Sequence, residues 1–260
     1  MKKSNLDEVA TSKENSKIRA EIWSDFVNWE GRRKGENGFL ELILKNYGCR
    51  KILDVAIGDG VDTVHLLQSG FEVESNEVDE AFRQKAIQNA ARTGLNINPT
   101  NLDWRDLSRG YDESAFDAII CMGNSFTCLF GTENQLKALR QFHRILKTGG
   151  VLIIDERNYQ KILNNPKAAL KGEFHSTGEY LYTGTNKVTV NFIDITNESI
   201  IIEYIHKSAG KKAWYKVYPF KRNELATLIK RAGFSMIKKF SDYKEGENPE
   251  ADFYQYVCVK

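Results

Sequence analysis

The chain has 260 residues, 41% of them hydrophobic, enough for one sizeable core with an elaboration. Thirty-seven Lys and Arg against 35 Asp and Glu leave a formal net charge of +2, so no global field recruits nucleic acid or an anionic membrane, and a small-molecule substrate is favoured. The four cysteines (Cys49, Cys121, Cys128, Cys258) form no CxxC pair, the histidines lack ligand spacing, and neither an apolar leader nor an 18-residue apolar run occurs. A metal site, secretion and a membrane span are therefore not expected, and the chain reads as a soluble cytoplasmic protein with reduced thiols.

Residues 1–20 are polar and charged and are expected as a mobile tail or a helix of low stability. From Ile22 to Leu44 apolar residues recur at helical spacing, interrupted by WEGRRKGENG (29–38), whose inner glycines suggest a loop. KILDVA (51–56), VDTVHLLQS (61–69, closed by Gly70) and FEVES (71–75) then form strand, helix and strand, a βαβ unit with a right-handed crossover. A helix over 80–92, a weak strand near Ile97, the strand FDAIICM (116–122), the helix ENQLKALRQFHRIL (133–146) and the strand GVLIIDE (150–156) continue the alternation. This is the pattern of an α/β, doubly wound, mostly parallel seven-stranded sheet. NKVTVNFIDI (186–195), ESIIIEYIHK (198–207) and KAWYKVYPF (212–220) break it as an antiparallel meander, and the helix RNELATLIKRAG (222–233) with two final strands (234–243, 252–260) returns the chain to the main sheet. The expected division is a sheet domain of 21–165 and 216–260 with an inserted lid over 166–215.

The loop DVAIGDGVD (54–62) follows a strand and opens a helix, and Gly58 and Gly60 allow a tight turn with close approach of a ligand to the helix N-terminus. A dinucleotide fingerprint would place a third glycine where Thr63 stands, which counts against NAD. Glu77, at the end of the next strand, suits a ribose diol, although Glu77 and Asp79 also fit plain solvated charges before a helix. With Asp54 and Asp59 and no basic residue in the loop, the site favours a cationic ribose-bearing ligand such as S-adenosylmethionine. In NLDWRD (101–106), Asp103 could accept from an adenine amine with Trp104 against the ring; a core tryptophan beside a surface acid is the plainer alternative.

ILDVAIGDG, LDW, CMGNSFTCLF (121–130) and DERNYQKIL (155–163) together resemble class I S-adenosylmethionine-dependent methyltransferases of the glycine N-methyltransferase and glycine/sarcosine N-methyltransferase family, whose fold is Rossmann-like. WSDFVNWEGRRKGENGF (23–39) is similar to that family's N-terminal segment, and YKVYPF (215–220) is a further echo. The resemblance implies that Arg32 holds the methionine carboxylate, that Trp23 covers the cofactor, and that Ala56, Gly58, Glu77, Asp103, Trp104 and Met122 complete the cofactor site, with S-adenosyl-L-homocysteine as product. It implies further that Asn124 orients an amino-acid substrate, that Arg157 anchors its carboxylate through a bidentate fork, and that a lid tyrosine lies near the transferring methyl. Tyr218 is favoured for that place over Tyr180, Tyr182 and Tyr204. Glu77 where the family commonly has Asp, Ile57 at an often small position, and Cys128 in place of a histidine depart from the pattern and leave the acceptor open. The alternatives are another small amine, an RNA acceptor approached through Lys207, Lys211, Lys212 and Lys216, or non-catalytic cofactor binding.

Overall fold

The computed structural model describes residues 3–173 and 187–260. Four helices precede the sheet: α1 (Lys3–Ala10), α2 (Lys13–Phe26), α3 (Trp29–Glu36) and α4 (Phe39–Asn46). Of the two forms expected for the N-terminal stretch the helix is the one found, and the loop expected over 29–38 does not form. The N-terminal stretch is helical because it docks: the buried Asn15 donates through Nδ2 to the Trp214 carbonyl at 2.9 Å and accepts from the Trp214 N–H at 2.7 Å. The stretch read as a loop is also helical. Asn28 caps it by accepting from the Gly31 N–H at 2.9 Å, and an Arg32–Glu36 ion pair one turn apart, at 2.7 Å, offsets the weak helix propensity of its two glycines.

The alternating part follows as β1 (Lys51–Asp54), α5 (Val61–Gln68), β2 (Glu72–Ser75), α6 (Glu80–Arg92), β3 (Phe116–Cys121), α7 (Thr132–Ile145) and β4 (Leu146–Arg157). Two short helices, α8 (Tyr159–Asn164) and α9 (Pro166–Leu170), lead toward β5 (Val188–Ile195), β6 (Ile200–His206) and β7 (Lys212–Val217). The chain closes with α10 (Glu224–Arg231), β8 (Ser235–Ser241), β9 (Lys244–Glu245) and β10 (Phe253–Val259). Seven strands form the main sheet in the order β2-β1-β3-β4-β10-β8-β9, parallel from β2 to β4 and antiparallel beyond.

The strand expected near Ile97 shrinks to a single bridge between Asn76 and Thr100. Its backbone follows a side chain instead of a ladder: Asn76 Oδ1 accepts from Thr100 Oγ1 and the Leu102 N–H, while Nδ2 donates to the Leu102 carbonyl. The seventh strand is β9, whose two residues are too short to show a pattern.

Strand alternation sorts the core. Leu53, Ile119, Leu152 and Ile154 face the side covered by α7 and α10, whereas Ile52, Ile120, Ile153 and Val257 face the side covered by α4. The separate antiparallel sheet β5-β6-β7 packs Ile200, Ile202 and Tyr204 against Ile22 and Phe26 of α2 and Tyr159 of α8. Helix α2 thereby touches the main sheet's α6 and the inserted β7 at once, and a cavity is left between them at the carboxyl ends of β1, β2 and β3.

Candidate active site

Beyond Asp54 the chain turns through Gly58 (φ 56°) and Gly60 (φ 98°). A Cβ on Gly60 would stand 3.4 Å from the Ala86 backbone, so the bare glycine lets α6 close on the loop. Thr63 earns its position by bonding: it is fully buried, and its hydroxyl donates to Asp54 Oδ2 at 2.8 Å, tying the start of α5 to the end of β1. Glu77 reaches back over the same turn. Its Oε2 accepts from the Gly58 N–H at 3.1 Å and its Oε1 from the Asp79 N–H at 2.9 Å, while burial pushes its carboxyl up to about 7.

The cavity measures about 290 Å³. All eight residues expected around the cofactor line it: Ala56, Gly58, Glu77 and Met122 from the strand ends, Asp103 and Trp104 from the loop pinned by Asn76, and Trp23 and Arg32 from the helices. Arg32 does not stand alone, since Nε meets Glu36 at 2.7 Å and Nη2 meets Asp62 at 2.6 Å. Burial opposes ionisation of Asp62, but Arg32 and Arg33 outweigh it and hold the carboxyl below its usual range. Asp59 is pushed up to about 6 by burial, against the hydrogen bond it accepts from Trp29 Nε1 at 2.8 Å. Asp103 is gripped by both ends of the Arg105 fork, at 2.9 and 2.6 Å, and Trp104 donates its indole N–H to the Val55 carbonyl at 2.7 Å, which sets the ring against the cavity.

The Gly123-Asn124-Ser125 turn after β3 is fully accounted for by hydrogen bonds. Asp155 accepts from the Gly123 and Asn124 N–H groups at 3.0 and 2.6 Å, and Ser125 Oγ donates to the Met122 carbonyl at 2.8 Å. Asn124, left-handed at φ 64°, accepts through Oδ1 from the Arg157 N–H at 2.9 Å and donates through Nδ2 to the Tyr159 hydroxyl at 2.6 Å. Its side chain is buried and is spent on the protein, so it fixes the ends of β3 and β4 and does not line the cavity. Arg157 is not among the residues lining the cavity; its guanidinium lies 4.5 Å over the Phe253 ring centroid.

Tyr218 is not brought to the site. Its hydroxyl donates to Glu224 Oε1 at 2.6 Å and its ring packs on Phe130 and Phe220, because it follows the inward Val217 and so points the other way. Tyr204 is buried against Trp23 and Phe26, and Tyr180 and Tyr182 lie outside the described residues. The lining also includes Arg19, Phe82 and Tyr215, which the sequence did not single out. Tyr215 was signalled by its parity with Ala213 and Val217. Arg19 carried no signal, since its segment read as a tail or a weak helix.

A βα turn cradling a ligand-sized space, with an acid from the end of β2 folded over it, is the arrangement in which doubly wound sheets hold a ribose-bearing cofactor. The methyltransferase-domain family profile matches residues 52–150. In fold the chain is similar to an S-adenosylmethionine-dependent methyltransferase of Clostridium acetobutylicum, with TM-score 0.69 at 16% identity, covering 92% of this chain and 96% of that one. In sequence it is 33% identical over 242 residues to a glycine/sarcosine N-methyltransferase of Aphanothece halophytica, covering 92% of this chain and 87% of the relative. It is also 33% identical over 240 residues to one of Parasynechococcus marenigrum, covering 92% and 81%. The chain belongs to the glycine/sarcosine N-methyltransferase family and is an enzyme that uses S-adenosylmethionine.

Proposed function

We propose that the enzyme methylates the amino group of a small amino acid of the glycine or sarcosine type. The observation that carries this reading is Arg157. Its backbone is fixed by Asn124 and its guanidinium by Phe253, yet among the described residues no carboxylate pairs with it. A planar cation held in place without an anion suits the carboxylate of an amino-acid acceptor.

The cavity's residues fit the cofactor. Glu77 would accept from the ribose hydroxyls, Arg32 would meet the methionine carboxylate, Asp103 would accept from the adenine amine, and Trp23 would cover the ligand. When bound, S-adenosylmethionine supplies an electrophilic methyl group. The chain's own part is to hold the acceptor with its nitrogen lone pair directed at that methyl, and such positioning supplies about 7–11 kcal/mol in well-organised reactions. A neutral amine needs no strong base for this step. The free thiols fit a cytoplasmic setting, and no described helix is long and apolar enough to cross a membrane.

Mass-spectrometric detection of methyl transfer to glycine, sarcosine, dimethylglycine and small amines tests the reading. Glycine or sarcosine is expected to be methylated, and Arg157→Ala to raise the acceptor KM by tenfold or more, the loss of a charge-assisted pair worth roughly 1.5–3 kcal/mol. Turnover confined to amines without a carboxylate, or an unchanged KM in Arg157→Ala, would overturn it.

A further inference from the structure

Tyr215 is the one described tyrosine on the cavity wall. On β7 it shares the inner face with Ala213 and Val217, which are fully buried; Tyr215 is only half-buried because it meets the cavity. Its ring lies 4.6 Å from the Arg19 guanidinium carbon and edge-on to Trp23 at 6.5 Å. Arg19 is fixed in turn, 5.0 Å over the Phe82 ring and 3.6 Å from Asp79. The Tyr215 hydroxyl meets the thiol of Cys128, at the end of the short turn that begins after Asn124. Cys128 is the exposed member of the four free cysteines, and it lines the cavity.

The pair comes from different elements than most of the cofactor's residues, although Tyr215 touches Trp23. Gly58 and Glu77 belong to the loops that follow β1 and β2 and Asp103 to the segment between α6 and β3, whereas Cys128 lies past β3 and Tyr215 on the inserted sheet. Arg157 is tied to the same turn: its N–H donates to Oδ1 of Asn124, which immediately precedes Ser125–Cys128.

Building on the amino-acid reading above, we propose that Tyr215 and Cys128 form the wall against which the substituents of the acceptor nitrogen pack, restricting acceptors to primary and N-methyl amines. The ring is held by its contacts with Arg19, Trp23 and Cys128, so it presents a defined wall to that part of the cavity. One methylene too many in such a pocket changes kcat/KM by roughly 10–200-fold.

Two measurements test the assignment. The first is alkylation of Cys128 by N-ethylmaleimide, followed by peptide mass spectrometry on the wild-type protein. Saturating glycine added to the S-adenosylhomocysteine complex is expected to slow labelling about fivefold or more beyond S-adenosylhomocysteine alone; labelling unchanged by glycine overturns the proposal. The second is acceptor choice. Tyr215→Ala is expected to raise kcat/KM for N-ethylglycine relative to glycine by about tenfold, Tyr215→Phe to hold that ratio within about twofold, and Cys128→Leu to lower sarcosine relative to glycine by about tenfold. Ratios that stay at the wild-type value in both Tyr215→Ala and Cys128→Leu overturn it, whatever happens to cofactor affinity. A wild-type enzyme inert toward both amino acids while binding the cofactor would remove the amino-acid reading, and this inference with it.

Discussion

Asn124 shows how much a single polar side chain carries at the ends of β3 and β4. It serves the Arg157 N–H and the Tyr159 hydroxyl from a left-handed backbone that asparagine tolerates better than most residues. Asn124→Ala would leave the part-buried Arg157 N–H without this acceptor and remove one of the bonds at the Tyr159 hydroxyl, at about 1–3 kcal/mol in all. We expect the melting temperature to fall by several degrees, at roughly 2–4 °C per kcal/mol for a chain of this size, and the acceptor KM to rise with it as Arg157 loses its anchor. Calorimetry and steady-state kinetics on the same preparation check this. The sequence pointed to Asn124 as a substrate contact, and its motif does mark the site. What the motif could not show is direction, because a side chain that orients Arg157 and one that touches a ligand have the same signature in one dimension. Thr63 is a similar case: it read as a missing glycine, and its bond to Asp54 was invisible without the fold.

At the scale of elements, β1 to β4, β8, β10 and α6 were legible because each has its own period, and Glu80–Arg92 matches its expected bounds, whereas the two-residue β9 has none. Helices α2 and α3 were not, because their stability is borrowed. α2 is held by Asn15 on Trp214, by Ser16 and Arg19 on Asp79, and by Trp23 edge-on to Phe82. It therefore acts as a strut between α6 and the inserted sheet. Asn15→Ala removes both main-chain contacts to Trp214 and is expected to raise amide exchange across α2 and weaken S-adenosylmethionine binding several-fold, with exchange across β3 and β4 unchanged. Exchange mass spectrometry with and without cofactor separates these regions. The parity of β7 gives the same lesson: Tyr218 had the motif, but Tyr215 had the inward place.

Across the whole molecule the cavity end of the sheet concentrates acids whose charge burial suppresses. Asp54, Glu77 and Asp155 are raised to about 7 and Asp59 to about 6. Between about pH 4, where these groups titrate when unfolded, and pH 7, the folded protein keeps protons that the unfolded chain has released. Their contribution to stability is thus full below the unfolded values and is lost as pH rises through the folded ones. The free enzyme is expected to melt several degrees lower at pH 7.5 than at pH 5.5 on this account. Ionised Glu77 is the better acceptor for a ribose diol, and ionised neighbours favour a sulfonium. The rise in melting temperature caused by S-adenosylmethionine should therefore be larger at pH 8 than at pH 6, and thermal scans at the two pH values decide it. Composition hinted at an acidic loop, but four acids under one roof, drawn from β1, β2, β4 and the turn between β1 and α5, emerge only from the topology.

The strand order has a consequence for how the chain is made. β10 lies between β4 and β8, so β8 leaves the ribosome with only the two-residue β9 to pair with. Until residues 253–259 have been synthesised, β4 and β8 each present an open edge, the kind of surface that recruits strands from other chains. The nascent protein is most exposed to misassembly after the residues for binding its cofactor have all been made. Insertion of β10 between β4 and β8 converts a half-built sheet into an enzyme.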